Sequence, residues 1–127
     1  MYEPIRTKSV HRMQAAAQAD YPHRSREEEL DIQLAGHLSA LLAVTDELGL
    51  DEAAEHIAEQ VARLRGAPPA RHAGLSAADA GALHRRAHDI AGRALVVAAS
   101  RADTAAAILA AERMDVHSAA LAPAGAH

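Results

Sequence analysis

A chain of 127 residues with 17 acids against 13 Lys and Arg has the length of one domain and a mild negative charge. It contains no Cys, which excludes disulfides, thiolate metal sites and Cys nucleophiles. No uncharged apolar run reaches the ~18 residues a membrane span needs, and the N-terminus lacks an apolar signal-peptide core, so a cytoplasmic protein is expected.

Ala supplies 34 residues, and Leu, Ile, Val and Met together 27, while Tyr2 and Tyr21 are the only aromatics. A core of Leu, Ile and Val knobs over Ala depends on close helix approach, so a monomer should be modestly stable. Association into a homodimer would supply the missing burial. Asn and Phe are absent and Lys8 is the single lysine, a bias that suggests a high-GC bacterial genome. Charge is uneven: residues 27–59 hold ten acids and no Lys or Arg, whereas residues 60–127 hold eight Arg and five acids. Two such halves can face each other within one bundle or across a dimer.

Residues 1–24 read as an extended arm punctuated by Pro4 and Pro22, with a short helix possible from Ser9 to Ala19. Ser25 and Glu28 form a capping box, and Glu27, Glu28 and Glu29 sit where the helix dipole favours negative charge. The first helix should run to about Leu48 and stop at Gly49. Asp51 is expected to cap a second helix over about 52–65, with Leu50, Ile57, Val61 and Leu64 inward, ending at Gly66. So short a connection makes these two helices an antiparallel hairpin. Residues 66–75 are a Pro/Gly linker, and Ser76 to Asp79 offers a second capping box. The third helix carries Leu83, Ala87, Ile90, Ala94, Val97 and Ala98 on one face. Near Ser100–Asp103 two outcomes compete. A break there folds a fourth helix back as a second hairpin; an unbroken stripe through Ala105, Ile108, Glu112 and Val116 gives three helices, the last one long. The break is favoured because two hairpins bury more apolar surface. The expected fold is thus all-α, a four-helix bundle over 25–122, with a frayed tail at 123–127.

Two constellations could carry chemistry. At about 100° per residue, His37 falls among Leu30, Leu34, Leu41 and Val44, and Glu112 among Ile108, Leu109 and Val116, where ionisable groups are costly. Turned inward, they would meet as a buried pair, either fixing helix register or acting as acid and base. His84 and His88, spaced i, i+4, present two imidazoles on one side of the third helix, the arrangement of helical metal ligands. His37, His84, His88 and Glu112 together would suit Zn or Ni within a bundle. The motifs Glu52-x-x-Glu55 and Glu112-x-x-Asp115 resemble the paired acids of the MazG-type all-α nucleotide pyrophosphohydrolases, a resemblance confined to these residues that implies Mg-dependent hydrolysis.

No phosphate loop, nucleophile elbow or dinucleotide fingerprint is present. A net charge of −7 over residues 27–127 (eight Arg less fifteen acids) and the lack of a basic, aromatic-bearing helix argue against nucleic acid. The leading expectation is a non-enzymatic interaction or regulatory module that pairs with itself or with another protein. A divalent-metal-binding bundle comes second and an Mg-dependent hydrolase third.

Overall fold

A computed structural model describes residues 25–72, 74 and 79–123. The arm at 1–24, the Ser76 end of the second capping box and the last four residues of the tail lie outside the described residues. Four helices follow one another: α1 (Arg26–Glu47), α2 (Asp51–Arg65), α3 (Ala80–Arg101) and α4 (Thr104–Leu121).

Each boundary has a local cause. Ser25 Oγ accepts from the Glu28 amide at 3.1 Å, and the Ser25 amide donates to Glu28 Oε1 at 2.8 Å, closing the expected capping box of α1. The helix ends where Gly49 turns left-handed at φ 73°. There the Gly49 amide donates to the Asp46 carbonyl and the Leu50 amide reaches back to Thr45. Asp51 is not the cap of α2; Leu50 holds that place without a side-chain hydrogen bond, and Asp51 begins the helix. Gly66, also left-handed at φ 78°, ends α2. Asp79 caps α3 by accepting from the amides of Gly81 and Ala82, each at 3.3 Å.

The chain does break after Arg101. Ala102 takes the left-handed conformation at φ 59°, and its amide and that of Asp103 close on Ala99 and Ala98. Asp103 then caps α4 by accepting from the Ala106 amide at 3.2 Å. Both hairpin turns therefore use one closure, built on Gly49 in the first and on Ala102 in the second.

α1 packs against α2 and α3, and α3 against α4, while α2 and α4 meet at only a few residues. The backbones of α1 and α4 do not come close. The spatial order is thus α2, α1, α3, α4, two hairpins joined through their first members. Leu34, Leu38 and Leu41 of α1 share one buried core with Ile57 and Val61 of α2, and every residue of the expected α3 stripe is buried. Ala87, Ala91, Ala94 and Ala98 are fully buried along α3, which lets its neighbours lie close in place of aromatic bulk. Arg101 Nε donates to Asp31 Oδ1 at 3.0 Å, and Arg63 pairs with Asp103 at 2.8 Å, fastening one end of the bundle. The first of these pairs joins the acidic part of the chain to the basic part. No helix among the described residues is long and apolar enough to cross a membrane.

Candidate functional site

The largest departure from the sequence reading lies on α4. Ala105, Ile108, Glu112 and Val116, the stripe expected inside, face solvent; Ile108 is 55% and Val116 45% exposed. The buried side is Ala106, Leu109, Ala110 and His117, with Arg113 half-buried among them. A shift of one residue rotates a helix face by about 100°. The closure at Ala102 and the Asp103 cap restart the helix, so α4 does not inherit the phase of α3.

This corrects the proposed centre. Glu112 is exposed, and His37 stands half-buried on α1, which does not pack directly against α4. The two side chains are not shut away together. His84 and His88 are both half-buried on α3, and His88 Nδ1 lies 3.8 Å from Asp89 Oδ1. Among the described residues, no group of three or more His, Asp or Glu comes close enough to hold a metal ion, so the convergence of His37, His84, His88 and Glu112 on Zn or Ni is not what the fold makes. Glu52, Glu55, Glu112 and Asp115 all stand exposed on two helices that barely meet, and Glu55 is engaged by Arg71 at 3.1 Å.

His84 instead finds a partner that sequence reasoning missed. Its Nδ1 lies 2.8 Å from Nδ1 of His117, with ring centroids 5.1 Å apart. On the far side of that ring, Arg113 Nη2 lies 3.5 Å from His117 Nε2. A guanidinium has only donors, so Nε2 must accept. In the neutral ring the proton is then on Nδ1 and is donated to His84. The result is one directed chain, Arg113 to His117 to His84. His117 is fully buried, and its pKa is lowered to about 4, first by burial and then by the neighbouring Arg113 guanidinium. This chain organises the seam between α3 and α4. The available signal was the i, i+4 spacing of Arg113 and His117, in phase with Ala106 and Ala110.

Arg113 also borders an open groove of about 360 Å³ between the first turn of α2 and the outer half of α4, with Leu50, Ala53, His56 and Val116 among its walls. Its Nε is buried with no hydrogen-bond partner, and burial pushes its pKa down while Glu112 opposes that shift. Among the described residues, no carboxylate stands within ion-pair distance of it.

A second polar centre fixes the linker. Asp46, 4% exposed at the end of α1, accepts from Arg71 Nε at 3.0 Å and Nη2 at 2.8 Å, and from the His72 amide at 3.0 Å. The Arg71 guanidinium holds its carboxyl below the usual range against the opposing effect of burial. No family model, curated protein or solved structure matches the chain.

Proposed function

We propose that this protein is a non-enzymatic, cytoplasmic interaction module that acts as a homodimer, and that the outer face of α4 is its contact surface. The observation that carries the reading is the two-sidedness of α4. One side is used within the bundle, where it seats two polar groups, His117 and Arg113. The other side leaves Ile108 and Val116 in water. A helix that buries imidazole and exposes β-branched aliphatics is poorly explained by the folding of a lone chain. It is well explained if the second side is covered by a partner. The gap between α2 and α4 runs beside that side, so a partner helix laid there would also shelter the groove.

Sedimentation equilibrium of the full chain tests this. One helix face plus a groove lies at the low end of specific interfaces, on the order of 1,000 Å² in total, so dissociation in the micromolar range is expected. Ile108→Asp should weaken the dimer by about 30-fold or more. A wild-type chain that stays monomeric up to high concentration contradicts the reading.

A further inference from the structure

The groove between α2 and α4 has apolar walls in Leu50, Ala53 and Val116 and an acidic rim in Asp51 and Glu52. Both acids are exposed, whereas Arg113 on the opposite wall is half-buried and holds its Nη2 against His117. The charge offered to solvent is therefore negative. It continues along the outside of α2 as Glu55 and Glu59, and residues 51–60 hold no Lys or Arg. Such a groove fits a basic segment that also carries aliphatic side chains.

The chain supplies one ahead of Ser25. Residues 4–19 hold Arg6, Lys8 and Arg12 and no acid, with Ile5, Val10 and Met13 among them. α3 offers this segment no alternative bed, because Arg85, Arg86 and Arg93 stand exposed along it. We infer that residues 4–19 dock in the groove between α2 and α4 of the same chain, with their cations against Asp51 and Glu52 and their aliphatic side chains against Ala53 and Val116. The reach is sufficient. The groove lies at the end of α1 away from Ser25, and α1, with 22 residues, is about 33 Å long. Sixteen residues, 9–24, lie between Lys8 and Ser25. With 9–19 helical and 20–24 extended, they also span about 33 Å. The docked segment covers Val116 and leaves Ile108 to a partner, so this inference and self-association on α4 stand or fall separately.

Lys8 is the single lysine, which makes the contact chemically readable. A water-soluble carbodiimide joins an amine to a carboxylate where the two lie in contact, leaving an amide that peptide mapping locates. The full chain should yield a product joining Lys8 to the acids of α2, Asp51 and Glu52 foremost. Asp51→Asn combined with Glu52→Gln, both at exposed positions, should lower its yield at least about tenfold. In an equal mixture of ¹⁵N-labelled and unlabelled chains, the two halves of each linked peptide should carry the same label. Lys8 coupled only to carboxylates outside α2, such as Glu27, Glu28 and Glu29, or to none, overturns the docking. Halves of mixed label overturn the same-chain arrangement and give the groove to another copy's arm. A same-chain product from a protein that sedimentation finds monomeric keeps this inference and removes self-association; a dimer without the product does the reverse.

Discussion

At His117 the buried ring must stay neutral, because Arg113 occupies the position from which a second ring proton would have to point. The folded pKa of about 4 lies below the ordinary 6.5, so between these values the unfolded chain binds more protons than the folded one. Stability from this group is complete above pH 6.5 and is lost as the pH falls toward 4, a total of about 3 kcal/mol. Urea unfolding at pH 7.5, 6 and 5 should show that decline, and His117→Met should remove most of this slope. A variant with the wild-type slope would assign the effect to another histidine. Asp46 behaves with the same sign at lower pH: its depressed carboxyl stabilises the fold above the unfolded value near 3.9, and that contribution is lost on further acidification. Asp46→Asn exchanges a charge-assisted acceptor for a neutral amide beside Arg71, and should cost about 2 kcal/mol of unfolding free energy at pH 7.

Between elements, the two hairpin turns provide an internal comparison. Gly49 accepts the left-handed conformation freely, whereas Ala102 adopts φ 59° against its Cβ. Ala102→Gly should therefore raise stability by about 0.5–1 kcal/mol, measurable as a higher denaturant midpoint with an unchanged slope; a lower midpoint would mean that Ala102 is not strained. The same turn shows what the sequence conceals. The Ser25–Glu28 box, the stop at Gly49 and the rows of α2 and α3 are all readable from capping chemistry and a single apolar stripe per helix. On α4 two stripes compete, Ala105-Ile108-Glu112-Val116 and Ala106-Leu109-Ala110-His117, and hydrophobicity favours the first. Packing chooses the second because the closure at Ala102 and the cap at Asp103 set the phase, and no glycine marks that turn. His84 was recognisable as a candidate, but its partner was not, since His117 lies 33 residues away on the face hydrophobicity assigned to solvent. Asp46 and Arg71 escaped notice for a similar reason: the pair joins a helix end to a Pro-rich linker across 25 residues.

For the whole molecule, the incomplete closure between α2 and α4 is the feature with consequences. The two hairpins are joined by two ion pairs, Arg101 of α3 with Asp31 of α1 and Arg63 of α2 with Asp103 at the start of α4. Both pairs sit at the end of the bundle that holds the turn between α3 and α4. They leave the groove at the other end open, and Ile108 and Val116 in water along α4. Five isoleucines make the association directly visible, because a methyl-labelled spectrum contains one signal each for Ile5, Ile32, Ile57, Ile90 and Ile108. Ile32 is a matched control, 52% exposed on α1 against 55% for Ile108, and Ile57 reports the core. On dilution from millimolar to low micromolar protein, the Ile108 methyl should shift along a single binding curve while Ile32 and Ile57 stay fixed. A series in which Ile108 does not move, or in which Ile32 moves in its place, would contradict a contact surface on α4.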